Sequence, residues 1–162
     1  MKTTDKFVFF WNGIYSNWNP AKFRMYDNEF ANSEQAFMWL KARFFNDEET
    51  AAKILLDSTP NGVKALGRLV KNYDDAEWSL ARFEMMYKAC NAKFRQDPNL
   101  AQALLATGTR ILVEASPYDK VWGIGMGENE AGIEDKANWK GLNLLGEVLM
   151  KVRENLHLTP IE

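Results

Sequence analysis

The chain has 162 residues, 46% of them hydrophobic, enough for one domain over residues 1–162 with a sizeable core that needs neither disulfide nor metal. Its 20 Lys plus Arg against 22 Asp plus Glu give a formal charge of -2. That balance provides no basic footprint for gripping a duplex by its phosphates, so no stable nucleic-acid binding is expected, although one nucleotide could still be recognised as substrate. A single histidine, His157, near the C-terminus argues against a Ser-His-Asp triad and a histidine-rich metal site, so no metal is predicted and catalysis must rest on Asp, Glu, Lys, Tyr or Cys. A lone cysteine, Cys90, forbids an intrachain disulfide and predicts a reducing, cytoplasmic setting; inside a helical pattern it reads as a buried, inert thiol. The N-terminus MKTTDKFVFFWNG lacks a signal-peptide cleavage pattern, and no apolar stretch reaches the roughly 20 residues that span a bilayer.

In chain order, FVFFW (7–11) is aromatic and β-prone, and FRMYDNEFAN (23–32) alternates around Asp27-Asn28, predicting a hairpin turning on that dipeptide. Between them NGIYSNWNPAK reads as a loop carrying Tyr15 and Trp18. Asn32 or Ser33 then caps a helix to about Phe45, with Gln35 in capping-box spacing after Asn32. Further helices are predicted from about Glu48 to Leu56 and Pro60 to Val70. The longest begins at Asp74-Asp75 and runs to about Gln96, with Trp78, Ala81, Met85, Ala89, Ala92 and Phe94 as its core stripe. Pro98 opens a helix closing at Gly108, RILVEAS (110–116) reads as a buried strand, and a last amphipathic helix is expected from about Asn138 to Leu156.

Three stretches can carry chemistry. VEASPYDKVWGIGMG (113–127) places Glu114 at a strand end, followed by Asp119, Trp122 and glycines 123, 125 and 127, which let backbone approach a neighbour closely. It is not a dinucleotide fingerprint, because the G-x-G-x-x-G spacing is missing and no helix opens on it. In NSEQAFMWLKARFF (32–45), Glu34 and Lys41 lie seven residues apart, about 20° from one helix face and roughly 10 Å apart along the axis, so they can flank a ligand but not form a simple ion pair. Glu34 in the first turn is held ionised by the helix dipole. Lys41 stands among Phe37, Trp39, Leu40, Phe44 and Phe45, where desolvation would lower its pKa and make it a nucleophile, or else it snorkels to water. In NWKGLNLLGEVLMKVR (138–153), Gly141 and Gly146 each cost a helix about 1 kcal/mol relative to alanine and point to close packing, with Asn138 as the cap and Asn143 facing the site.

Taken together, SEQAF followed by Lys41-Ala42, the SNW loop, AKF at 92–94, TG at 107–108, LVEASPYDKVWGIG and NWKGLNLLGEVLMKVR resemble the YbiA-like, or NADAR, family over about Phe9 to Leu156. The resemblance implies a single α+β domain, mostly helical with a small β-sheet, and an N-glycosidase that needs no cofactor and cleaves a ribose C1'-N bond. The implied substrates are an ADP-ribosylated guanine nucleotide or nucleic acid, or alternatively a small phosphoribosylamino-pyrimidine of riboflavin synthesis. It implies Glu34, Lys41, Glu114 and Asp119 as catalytic residues. As substrate contacts it implies Asn12, Ser16, Asn17, Ser33, Trp122, Gly123, Gly125, Trp139 and Asn143. Two departures stand out: Glu34-Gln35 where several relatives have Glu-His, and Ser16-Asn17-Trp18 where many have Ser-Asn-Phe. Two mechanisms follow, a carboxylate activating water or Lys41 opening the ribose to a Schiff base, with phosphates expected near the backbone of Gly123 to Gly127 or Lys120. A non-catalytic ADP-ribose reader and a ligand-free helical domain are the rival readings.

Overall fold

The computed structural model describes residues 1–161, whose backbone packs as two compact units: Asn17–Gln96, and Met1–Ser16 joined with the chain from Asp97 onward. Together they make an α+β fold, mostly helical with two small sheets. Among the described residues no helix is long and apolar enough to cross a membrane.

The unit Asn17–Gln96 begins with a hairpin, β3 (Phe23–Met25) against β4 (Asn28–Phe30). Its turn lies on Tyr26 and Asp27, one residue before the predicted dipeptide. Met25 pairs with Asn28, and both turn residues have positive φ, 49° and 63°, the type I′ arrangement, one of the two whose twist matches that of the flanking strands. Asn28 stabilises it by donating its side-chain N–H to the Tyr26 carbonyl at 3.1 Å.

Four helices follow: α1 (Ser33–Phe44), α2 (Glu48–Leu55), α3 (Pro60–Gly67) and α4 (Asp75–Arg95). Each start is fixed by a side-chain oxygen taking one of the orphan N–H groups: Asn32 from Gln35, Asp47 from Thr50, Thr59 from Gly62 and Asp74 from Glu77. Gln35 extends the capping box, accepting from Ala31 N at 2.8 Å while its amide donates to Ile54 O and Asp57 O at 3.0 Å, so one side chain also closes the end of α2. Nearly all of α1 is buried, including Phe37, Met38, Trp39 and Leu40, each contributing about 1.5–3 kcal/mol. On α4 the buried face is Trp78, Met86, Ala89, Cys90, Lys93 and Phe94. The predicted Ala81, Met85 and Ala92 are half-buried, one step off that face.

The other unit carries β1 (Lys2–Thr3), β2 (Phe7–Phe10) and β5 (Ile111–Glu114) in the order β1-β2-β5, with β1 antiparallel and β5 parallel to β2. Phe7 pairs with Ile111 and Phe10 with Glu114, so both parallel strands end level. All four β2 residues are buried, as expected of a strand covered on both faces. Phe7, Phe9, Val113, Ala115, Ile124, Met126 and Ile133 form its core. Helix α5 (Pro98–Ala106) is capped by Asp97, and α6 (Leu144–Leu158) packs on β5.

The last helix starts at Leu144, not near Asn138. Residues 136–138 form one 3-10 turn. The backbone N–H groups of Lys140 and of Leu142 to Leu145 donate to another segment instead of to the preceding turn: Lys140 to Ile124 O at 2.8 Å, Leu142 to Lys120 O at 2.9 Å, and Asn143 to Gly123 O at 3.1 Å. Tertiary hydrogen bonds therefore replace the first helical turns that the sequence pattern suggests. Asn138 accordingly caps nothing on α6; its amide donates to Gly132 O at 2.9 Å.

Candidate active site

In the unit Asn17–Gln96, three of the expected residues meet at the start of α1. Asn17 takes a 2.9 Å hydrogen bond on its side-chain oxygen from Ser33 Oγ, and its carbonyl accepts from Glu34 N at 3.1 Å. The Asn17 amide donates to Met86 Sδ at 3.4 Å, and Cys90 Sγ lies 3.7 Å from its oxygen. Asn17 thus pins the first turn of α1 to α4. Ser33 is fully buried and Glu34 only 8% exposed. A carboxylate this buried is tolerable because it stands in the first turn, where the helix dipole favours the anion. The departure at Gln35 falls on a residue whose amide acceptor and donors are all engaged in the fold, a set of bonds that imidazole, with one acceptor and one donor, does not reproduce.

Lys41, two turns on, is half-buried, and its ammonium donates to Gly67 O at 2.9 Å, 4.8 Å from the Tyr73 ring centre and 5.9 Å from that of Trp78. Burial holds its pKa below the ordinary lysine value, the charge of Arg68 lowers it further, and Glu34 opposes both. The field of Glu34 thus reaches Lys41, while the ammonium's direct partner is the end of α3.

Lys93 is the residue that sequence reasoning passed over. It is 1% exposed on α4, 5.0 Å from the Phe94 ring centre, and burial brings its pKa down to about 8. The available signal was its place in AKF, one turn after Cys90 on a face otherwise apolar.

In the other unit, the residues of the glycine-rich stretch gather around the end of β5. Glu114 N donates to Asn143 Oδ1 at 3.0 Å, and Asn143 Nδ2 donates to Leu112 O at 2.9 Å, so one buried asparagine with φ of 54° holds the strand's last turn of backbone. Glu114 O accepts from Ile124 N at 3.0 Å. Asp119 Oδ1 accepts from Val121 N and Trp122 N at 2.9 and 2.8 Å, an Asx turn that fixes the backbone leading into Trp122. Ser116 Oγ, absent from the expected set, accepts from Tyr118 N and Asp119 N at 3.2 Å and turns the chain there.

The glycines here serve chain against chain. A Cβ on Gly123 would meet the carbonyls of Asp119 and Glu114 at 2.9 and 3.0 Å, and one on Gly141 would collide with Gly123 O. Gly125 has φ of 68°, a conformation that glycine adopts without penalty. Trp139 is committed to the core, its indole N–H donating to Ile133 O at 2.7 Å and its ring edge against Phe7. Ser16 is buried with its N–H on Gly13 O at 3.0 Å. Asn12 is exposed and lines a cavity of about 450 Å³. Of the expected residues, Asn17, Ser33 and Glu34 therefore form one cluster, and Glu114, Asp119, Trp122, Gly123, Gly125 and Asn143 another.

Comparison with known proteins gives the family. The chain is 40% identical to an N-glycosidase of Acanthamoeba polyphaga mimivirus, covering 93% of this chain and 96% of that protein. It is 33% identical to an N-glycosidase of Nostoc punctiforme, over 89% of this chain and 85% of the relative. The NMR structure of the E. coli protein YbiA superposes with a TM-score of 0.78 at 29% identity, covering 97% of this chain and 88% of that one. Residues 9–157, spanning both units, match the NADAR domain, and the chain belongs to the NADAR family.

Proposed function

We propose that this N-glycosidase removes ADP-ribose from an ADP-ribosylated guanine, with Glu34, Lys41, Glu114 and Asp119 carrying the chemistry. Breaking a ribose C1'-N bond builds positive charge on the sugar ring, and a preorganised anion lowers that barrier most where water is excluded. The observation that carries the reading is Glu34: a buried carboxylate in the first turn of α1, with its backbone N–H and the neighbouring serine fixed on Asn17. It has the burial and the fixed frame that an anion facing an oxocarbenium ion needs. Asp119, with one oxygen holding Val121 and Trp122, orients the Trp122 loop, and Glu114 is the second anion in the proposal.

Lys41, as the neutral amine that its lowered pKa favours, is proposed to attack the anomeric carbon. The C1'–N bond breaks and the base leaves carrying a proton, the C1'–O4' bond opens to give a protonated Schiff base with O4' protonated, and water then hydrolyses the imine to free ADP-ribose and the amine. Incubation with ADP-ribosylated guanosine is expected to release free ADP-ribose, and cyanoborohydride is expected to trap an adduct on Lys41, read by mass spectrometry. Release without any adduct, with Lys41→Met still active, assigns the attack to water. Binding without release identifies a reader. Turnover of a phosphoribosylamino-pyrimidine in place of the guanine substrate assigns the other subgroup.

A further inference from the structure

The parallel strands β2 and β5 end level at Phe10 and Glu114, and residues that follow each, Trp11 and Asn12 after one and Ala115 and Pro117 after the other, line the 450 Å³ cavity noted above. Its size lies in the range of small-molecule sites, and the carboxyl ends of parallel strands are where such sites form in open sheets. Trp11 is 50% exposed at the cavity wall, and the ring of Tyr118, 82% exposed, lies 5.9 Å from it at 50°. Trp11 keeps half of its surface in water at the cavity, and Tyr118 beside it keeps most of its own. They offer a flat apolar face to a planar ligand.

Carboxylates in the same cavity select the ligand's chemistry. Glu128 and Glu130 line the cavity, the first paired with the α-amino group of Met1 at 3.3 Å, the second accepting from Gly127 N. Carboxylates repel a phosphate and accept from N–H groups. A guanine edge presents a ring N–H beside an amino group, two adjacent donors for one carboxylate, while its O6 and N7 accept from an amide such as that of Asn12. Adenine presents only one amino group next to a ring nitrogen that a carboxylate repels.

We propose that this cavity is the nucleobase subsite, taking guanine with its face on Trp11 and its donor edge toward Glu128 and Glu130. The inference rests on the guanine reading above, and names the part of the molecule that recognises the base. The test is saturation-transfer NMR and tryptophan-fluorescence titration of the full chain with guanosine and adenosine, repeated on Trp11→Ala and Trp11→Phe, alongside ADP-ribose release from ADP-ribosylated guanosine. Guanosine is expected to bind wild type at least tenfold more tightly than adenosine. Trp11→Ala is expected to weaken guanosine binding and raise KM about tenfold or more, and Trp11→Phe to restore most of both. Because the indole is half exposed, the folded state is expected to survive, checked by an unchanged Tm. Guanosine binding indifferent to Trp11→Ala, or equal binding of adenosine, overturns the subsite even where ADP-ribose is released. Binding that follows Trp11 without any release upholds the subsite and overturns the reaction.

Discussion

Lys41 Nζ donates to Gly67 O at 2.9 Å, so the amine proposed as nucleophile also closes the last turn of α3. The two roles separate by substitution. Lys41→Arg keeps a donor and the cation over Tyr73, but guanidinium is no nucleophile at neutral pH. We expect it to retain stability within about 1 kcal/mol while losing more than a hundredfold in ADP-ribose release, whereas Lys41→Met loses about 1–2 kcal/mol as well. Urea denaturation beside the release assay checks both.

Glu34→Gln keeps the shape of the side chain and removes the charge. If the carboxylate faces developing positive charge, kcat falls by about 10² to 10⁴ while stability falls by no more than about 1 kcal/mol, the favourable contact with the helix dipole being lost. Loss of activity with a matching fall in Tm would instead mark Glu34 as structural.

Asn143 separates backbone strain from hydrogen bonding. Its side chain bonds Glu114 N and Leu112 O, and its φ of 54° is one that alanine resists. Asn143→Ala is expected to cost about 2–4 kcal/mol, and Asn143→Gly about 1 kcal/mol less because glycine relieves the strain but not the lost bonds. Equal costs in denaturant titrations would mean that the strain contributes nothing.

Gly146 lies inside α6, where propensity alone would make alanine better by about 1 kcal/mol. A Cβ there collides with Leu112 O and the Asn143 amide, so Gly146→Ala is expected to destabilise by at least about 1–3 kcal/mol, read as a lowered Tm. A raised Tm would show that β5 and α6 can move apart.

Lys93 makes stability depend on alkaline pH. Its pKa is about 8 in the folded chain against an ordinary 10.5, so the unfolded state binds more protons between those values, and stability rises with pH across that window. The gap corresponds to about 3 kcal/mol of cost borne by the buried ammonium below pH 8. Lys93→Met is expected to be more stable than wild type near pH 7, with the advantage shrinking toward pH 10 in paired thermal melts. A constant difference across that range would place the titration elsewhere.

Where local chemistry decides the structure, the amino-acid sequence is readable: Asn32, Asp74 and the prolines at 60 and 98 open helices within a residue or two of the predicted starts. The start of α6 was not readable, because the N–H groups of Lys140, Leu142 and Asn143 are taken by carbonyls about twenty residues back, and no local pattern encodes that. For the site, the motifs name Glu34 and Asn17 directly, and the Ser33–Asn17 bond gives them a shared frame. Lys93 was hidden for the opposite reason: its charge suggests solvent, and its burial depends on what covers α4.

The level ends of β2 and β5 also bear on how the chain folds. Pairing Phe10 with Glu114 closes a loop of about 100 residues, an entropic cost that grows only slowly with length but must be met before the pairing returns anything. The segment Asn17–Gln96 lies wholly inside that loop and has its own capped helices and its own hairpin. Its early compaction shortens the effective loop, so the central sheet is expected to be the late event in folding, and substitutions at Val8 or Leu112 to act mainly on the unfolding rate.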